Sequence, residues 1–579
     1  MAILNFCNLK NTIEKNIEMN ADKSTDEDCF HLLANKDLLE QINNNKNEVI
    51  FGIRGTGKTT LLKAFNYYIN NLKGRDENTA CYFNELVSKV PNDIELKNLN
   101  NNEASIKVIK YYLYELFQFI FNDYCLLDNK EYSKITFFKS SYTKKELDQL
   151  LKLLIEFESL ITKGSPFIKC VDEKFQEYRT ETQQKGIELS LGTEQNYNLK
   201  NLIPKVKLSL GRRIKGLTNS NYAEQLVYNF DIYEIRKKLI EIFKYSGLKK
   251  IFICIDEFYL IDKDMNNTIQ PEVSQLIKEL FFKDNIYCVK ISSVYSESKM
   301  QMRQNNQRKG LEINNDIFAG PNLDAMHKDD NEAKIFFKRL LGNMVLLYNP
   351  QLKINNYEGE VLFSEEVVKK LFQNEFVFER LVCGSQGVPR KFLILLDNCL
   401  KATLEKHITI NTVINEILKD YNVDLAMTVD YSRTLIKKIN SFIEKNKCRF
   451  FFINKMDYRN HFFAIKELIE KEIIQMYVGM QLPREISNSY KLFTTHYGNY
   501  LGALGSDALT KFANAPTSKE VLFPKIPEDI DKTIEEYTLE IPDIVEKEYY
   551  CCNCRKVVLV SDIKNRICPI CECKIEVFK

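Results

Sequence analysis

Residues Glu48-Val-Ile-Phe51 followed by Gly52-Ile-Arg-Gly-Thr-Gly-Lys-Thr59 decide the fold. The first four read as a short strand, and from Thr60 onward Leu61, Leu62, Phe65, Tyr68, Ile69 and Leu72 recur on one helical face. The loop between them has the spacing G-x-x-x-x-G-K-[ST] in the strand-then-helix context that turns it into a phosphate cradle. Its glycines let backbone N–H groups point inward, and the helix N-terminus adds partial positive charge. Lys58 reaches terminal phosphates and the Thr59 hydroxyl can hold Mg²⁺. The candidate nucleotide contacts are therefore Gly52, Arg54, Gly55, Thr56, Gly57, Lys58, Thr59 and Thr60. The rival reading is a glycine-rich turn with a solvent-facing lysine.

A partner motif lies 198 positions after Lys58, in Ile251-Phe-Ile-Cys-Ile-Asp256-Glu257. An apolar, β-branched run of this kind suits a strand covered on both faces, and it delivers two carboxylates to the sheet edge where nucleotides bind in open α/β folds. Asp256 is expected to hold Mg²⁺, and Glu257 to orient and deprotonate an attacking water; a solvent-facing strand end is the blander reading. Further strands are expected at Ala80 to Phe83 and Ile286 to Ile291, with helices at His31 to Ile42, Ile106 to Phe121, Leu147 to Leu160 and Tyr222 to Tyr245. The third of those helices follows the capping box Thr143-Lys-Lys-Glu146. Strands alternating with helices give a parallel α/β core. Two alternating pieces, 187–192 and 206–211, read as a hairpin-like insertion.

Beyond residue 330 the pattern changes. From 331 to 420 it is almost entirely helical, and from 431 to 500 it runs helix, short strand, helix, then two β-rich stretches at 473–477 and 490–496, an order that suits a winged helix-turn-helix. Residues 431–500 carry a net charge of about +6, with Lys437, Lys438, Lys445, Lys447, Arg449, Lys455 and Arg459 among Phe450, Phe451, Phe452 and Tyr458. Two readings stand: contacts to DNA phosphates through a helix near 461–472 and the following wing, or simple solvation of the module. The triple Phe reads as core, since consecutive residues on a strand put at least one ring inward. Residues 511–548 contain four prolines, and the span 521–550 sums to about −6, the signature of an extended acidic linker.

Six of the 16 cysteines fall in the last 29 residues. Cys551, Cys554, Cys568 and Cys571 form C-x2-C…C-x2-C with 13 residues between the pairs, a spacing suited to tetrahedral, structural Zn²⁺, with Cys552 and Cys573 as competing ligands. The other ten are expected to be core thiols of a reduced, cytoplasmic protein. In 579 residues with 81 basic and 79 acidic side chains, net charge selects no partner. No apolar run is long enough for a membrane helix, and the opening MAILNFCNLKNTIEKN is not a secretory leader, so a membrane partner is not expected.

These residues resemble the AAA+ ATPases: RGTGKTT, the Asp256-Glu257 strand end, a further strand ending Ile291-Ser-Ser293, and Gly387-Val-Pro-Arg390 opening a helix. The pattern after residue 430 is similar to the origin-recognition or replication-initiator branch, in particular to prokaryotic origin-recognition-like AAA ATPases. The resemblance implies a P-loop AAA+ core over 47–330 with an insertion at about 86–222, and a lead segment before it. A helical lid over 331–430, a winged-helix-like domain over 431–510 and a zinc ribbon over 549–579 complete the layout. It also implies that Ser292 or Ser293 occupies the sensor-1 position, and that Arg390 contacts the γ-phosphate. Arg303 and Arg308 are candidates for a finger acting on a neighbouring subunit, and Asn84 for a restraint on Glu257, although a loop-capping Asn fits that position too. ATP, Mg²⁺ and Zn²⁺ are the expected ligands, with DNA, self-association or a protein partner. The expected activity is ATP hydrolysis that switches a DNA- or partner-binding module. The alternative is a STAND-type signalling or anti-phage defence switch with slow hydrolysis; a nucleotide kinase would not need the acidic pair.

Overall fold

Strand β3, Lys250–Ile255, is the middle of the sheet that the opening motif announces: five of its six residues are buried, as a strand covered on both faces requires. The structure is a computed structural model that describes residues 5–17, 24–73, 78–83, 101–128, 137–139, 142–162, 230–261, 269–304, 307–326, 330–349, 352, 357–403, 406–426, 428, 430–446, 448–476, 484–503, 530, 534–541, 548–550 and 557–559. Two compact units are present: one comprises Met1–Glu40, Phe51–Ala64 and Pro321–Lys579, the other Gln41–Ile50 and Phe65–Gly320.

The second unit holds most of a five-stranded sheet. Its strands are β1 (Glu48–Phe51), β2 (Asn78–Phe83), β3, β4 (Tyr287–Ser293) and β7 (Phe318–Asn322), in the order β2-β3-β4-β1-β7. A small antiparallel pair, β5 (Gln301–Gln304) and β6 (Gln307–Gly310), lies between β4 and β7 in the chain. Strands β2, β3 and β4 pair in parallel, with Phe83 opposite Ile255 and Ile255 opposite Ile291, so their C-terminal ends are level. Phe65 meets Phe252 edge to face with centroids 5.1 Å apart. The insertion contributes two long helices, Asn101–Asp128 and Lys144–Thr162, which pack on each other and on helices Gln270–Phe281 and Ile232–Ser246 respectively. The expected capping box forms at the second, where the Thr143 hydroxyl and N–H both bond the Glu146 carboxylate. The hairpin-like pieces 187–192 and 206–211 lie outside the described residues.

At the bottom of the sheet Lys290, fully buried, bonds Glu48 at 2.8 Å as well as Asn44 and the Lys46 carbonyl. These contacts fix the entry to β1 against β4.

In the first unit, helices Asp330–Tyr348, Tyr357–Leu371, Glu375–Gly384, Pro389–Ala402 and Ile410–Ala426 share one core with Leu9 and Ile13 of the helix Phe6–Ile17. That first helix lies in the lead segment before residue 47, where the sequence reading expected no element ahead of His31. Three of its neighbours come from beyond residue 330, so its apolar face had no local partner to reveal it. The lead helix expected over 31–42 is two short ones, Asp26–Leu32 and Asp37–Ile42, the first closed by a Thr25/Asp28 capping box.

Residues 430–495 keep the expected helix, strand, helix and two strands, but the second helix is two short ones and a further helix stands between the last two strands. Helix Asp430–Asn446 leads to β8 (Phe450–Asn454), helices Lys455–Asn460 and Phe462–Glu470, β9 (Ile474–Met476), helix Arg484–Ser489 and β10 (Tyr490–Thr495). The strands form an antiparallel sheet in the order β8-β10-β9. All three consecutive phenylalanines are buried: Phe451 enters the large core, while Phe450 and Phe452 join a smaller cluster with Ile486, Leu492 and Ile530. Both faces of β8 are therefore covered. Most of the expected acidic linker lies outside the described residues, but the described part is not free chain. Phe452 N–H donates to Tyr537 O and Leu539 N–H to Phe452 O, while Tyr537 stacks on Phe450 at 5.0 Å. Apolar Leu539 and Ile541 are what drive this strap onto the β8 edge.

Candidate functional site

The loop Gly52–Lys58 and Arg390 belong to the first unit. Gly55 and Gly57 have φ of +83° and +91°, values that favour glycine. A side chain added at Gly55 would meet Arg390 Cβ at 2.8 Å and Val388 Cγ1 at 3.1 Å, whereas one added at Gly57 would meet nothing within 4 Å. One glycine is thus packed against protein and the other faces open space where a phosphate fits. Thr56, buried, donates to Ile53 O at 2.9 Å, and Ile53 N–H donates to Asp324 Oδ1 at 2.8 Å. Lys58, 6% exposed, folds its ammonium onto the Gly52 and Ile53 carbonyls at 2.7 and 2.8 Å. Thr59 and Thr60 are half-buried at the start of helix Lys58–Tyr67, and Arg54 is exposed.

Arg390 lies one residue inside helix Pro389–Ala402, whose proline sits in the first turn where no N–H is needed. The Arg390 N–H donates to Gly55 O at 3.1 Å. Its exposed guanidinium is at the positive end of a helix dipole, a place that favours an anion as its counter-charge. The next residue, Lys391, is buried and bonds Asp420 at 3.1 Å and Glu472 at 3.2 Å, with Asp424 at 4.0 Å. Burial opposes its charge, but Glu472, Asp420 and Asp424 outweigh it and hold the lysine pKa above the ordinary value.

The acidic pair belongs to the second unit. Asp256 is 2% exposed and accepts three hydrogen bonds: Tyr82 Oη donates to Oδ2 at 2.8 Å, while the Ser292 hydroxyl and the Glu257 N–H donate to Oδ1, the latter at 2.9 Å. The Glu257 N–H also reaches Ser292 Oγ at 3.0 Å. Glu257 adopts φ +53°, a left-handed conformation that costs a non-glycine residue about 1–3 kcal/mol and is characteristic of functional sites. Of the two candidate serines, Ser292 contacts the pair, while Ser293 bonds Ser298, because successive strand residues point to opposite faces.

Arg308 is exposed and forks onto the Glu312 carboxylate. The Arg303 side chain, Asn84, and the four zinc candidates Cys551, Cys554, Cys568 and Cys571 lie outside the described residues. Among the described cysteines most are buried as expected, but Cys7 is exposed. Of the basic residues in 431–500, Arg449 is not available to a ligand: it is buried, stacks over Tyr497 and bonds Thr495 O. Exposed positive charge sits instead on Lys437, Lys438 and Lys445 of helix Asp430–Asn446 and on Arg459. No described helix is long and apolar enough to cross a membrane.

Asp324, Tyr82 and Lys391 were missed from sequence. Asp324 is 271 positions from the N–H it holds, and Tyr82 reads as an ordinary strand residue, so neither carries a local signal.

Residues 18–377 match the ORC-CDC6-like family. The chain belongs to that family. ORC-CDC6-like proteins are AAA+ P-loop ATPases, which accounts for the order β2-β3-β4-β1-β7, with the phosphate loop after β1 and the acidic pair after β3. Among curated proteins none matches the chain.

Proposed function

We propose that this ORC-CDC6-like chain binds and hydrolyses ATP, and that nucleotide occupancy switches the arrangement of its carboxy-terminal module. The observation that carries the reading is the hydrogen bond from Arg390 N–H to Gly55 O, which seats a helix start directly on the phosphate loop. A triphosphate in that loop draws Lys58 off the Gly52 and Ile53 carbonyls and gives the Arg390 guanidinium its anion. The Thr59 hydroxyl of the loop and, in the other unit, the Asp256 carboxylate are the residues proposed for Mg²⁺, which would supply neutralisation of charge on the transferring phosphoryl group. Glu257 accepts the proton of the attacking water, its backbone clamped by Asp256 and Ser292.

The helix seated on the loop also carries Lys391, whose partners lie on helix Ile410–Ala426 and in the turn before β9. A shift of Arg390 toward a γ-phosphate therefore reaches the helix–strand–helix module over 430–495, whose strand order β8-β10-β9 supports a winged-helix assignment. Binding the closed arrangement better than the open one is all that a switch requires. DNA and further copies of the chain are the partners that family membership supports.

Steady-state ATP turnover by wild type and by Glu257→Gln, with and without DNA, tests the proposal. Turnover by wild type that DNA stimulates, and that Glu257→Gln abolishes while still binding ATP, is the expected result. Equal turnover in both proteins removes Glu257 from the reaction, and no turnover in either favours a slow protein-sensing switch.

A further inference from the structure

Asp256 draws its donors from three strands and from a segment that the phosphate-loop signature does not include. Strand β3 supplies the carboxylate and the Glu257 N–H follows it; β4 supplies Ser292; the edge strand β2 supplies Tyr82. A carboxylate has about four lone-pair directions, and three are taken here. Two of those donors converge on Oδ1, so Tyr82 alone fixes Oδ2. The phenol is half-buried, and Tyr82 is the next-to-last residue of β2, just before the chain enters the insertion.

The insertion returns to the same place. Tyr112, on helix Asn101–Asp128, lies with its ring 5.7 Å from that of Phe83. Its hydroxyl is buried with no hydrogen-bond partner among the described residues. Burial, and then the charge of Asp256, hold that phenol protonated.

We infer that Tyr82 is a positioning residue for the divalent cation: its hydroxyl fixes Oδ2 of Asp256 so that the remaining lone pair meets a water of hydrated Mg²⁺. The inference rests on the assignment of Asp256 to the metal. Mg²⁺ dehydrates reluctantly and demands near-ideal geometry, so a carboxylate that acts through water must be held still. Outer partners that orient such a group usually change metal affinity when removed, by about 10- to 100-fold. Phenylalanine keeps the ring and removes only the donor.

The test measures equilibrium ATP affinity by calorimetry across a Mg²⁺ titration, for wild type, Tyr82→Phe, Asp256→Asn and the double variant. Tyr82→Phe is expected to raise the Mg²⁺ concentration at half-effect about tenfold, with metal-free ATP affinity and melting temperature unchanged. The double variant is expected to shift no further than Asp256→Asn, since Tyr82 acts through that carboxylate. An unchanged Mg²⁺ dependence in Tyr82→Phe, or shifts that add in the double variant, overturns the role of Tyr82. If Asp256→Asn itself leaves the Mg²⁺ dependence unaltered, the assignment of Asp256 fails and takes the inference with it.

Discussion

Gly55 and Gly57 occupy the same motif and the same half of the Ramachandran map, yet they do different work. Gly55 has Arg390 and Val388 at its back, while Gly57 opens onto empty space. Alanine at Gly55 combines backbone strain with a clash against Arg390 Cβ, and the expected cost is about 2–3 kcal/mol. Gly57→Ala carries the strain alone, about 1–2 kcal/mol, but places a methyl where phosphate belongs. Thermal melts without nucleotide should therefore rank Gly55→Ala below Gly57→Ala. ATP titrations should show Gly57→Ala as the weaker binder relative to its own stability; the opposite ranking in melts would mean that Arg390 is not seated on Gly55. These glycines were legible in sequence because their spacing, backbone demand and ligand all lie within eight residues. Tyr82 and Asp324 were not, because their partners lie 174 and 271 positions away, and the choice between Ser292 and Ser293 stayed open because strand register decides which hydroxyl meets Asp256.

The helix Pro389–Ala402 was expected from Gly387-Val-Pro-Arg390, and its third residue, Lys391, matters beside Arg390. Lys391 gathers Asp420, Asp424 and Glu472, and behind Asp420 stands His496 at 3.5 Å. Gly498 N–H donates to His496 Nδ1 at 2.9 Å, so the neutral ring carries its proton on Nε2, facing Asp420. At 3.5 Å that contact is long for a hydrogen bond, and it orients the ring more than it charges it. Burial, then Lys391, lowers the His496 pKa to about 3. Burial raises that of Asp424 to about 6. The signs oppose. A histidine with a depressed folded pKa contributes stability that is full above pH 6.5 and is lost as pH falls toward 3. An aspartate with a raised one disfavours the fold above pH 6 and stops doing so as pH falls toward 3.8. Between pH 6 and 4 the two slopes cancel in wild type. Asp424→Asn removes one of them, so its stability is expected to fall relative to wild type across that interval. The slope should approach 1 kcal/mol per pH unit, below the full 1.4 because Asp424 is partly exposed. Urea unfolding at pH 4, 5 and 6 measures it, and parallel profiles for the two proteins would remove the coupling.

At the scale of the whole chain, the sheet and the helices beyond residue 330 were legible because parallel strands buried on both faces are continuous apolar runs and amphipathic helices keep their period. The first helix and the strap over 534–541 were not, since each is held by core residues remote in sequence. The carboxy-terminal module shows the same limit in its charge. Seven basic residues were read as one surface, but Arg449 is committed to Thr495 and Tyr497, and in helix Phe462–Glu470 the Lys466 ammonium pairs with Glu470 at 3.8 Å. Of those seven, the exposed ones among the described residues are Lys437, Lys438, Lys445 and Arg459, so the proposed phosphate contact is expected on the module's first helix more than on the one first assigned to it. Four such contacts release counterions enough for a slope of log affinity against log salt near −3.6, at about −0.9 for each phosphate. Changing Lys437 and Lys438 together to Gln should reduce that slope by about 1.8 without altering the melting temperature, as neither side chain supports the core. Replacing Arg449 should do the reverse, lowering stability and leaving the salt slope of the folded fraction intact. DNA affinity that ignores salt, or a slope unmoved by the double substitution, would detach this helix from nucleic acid and leave the module to recognise protein.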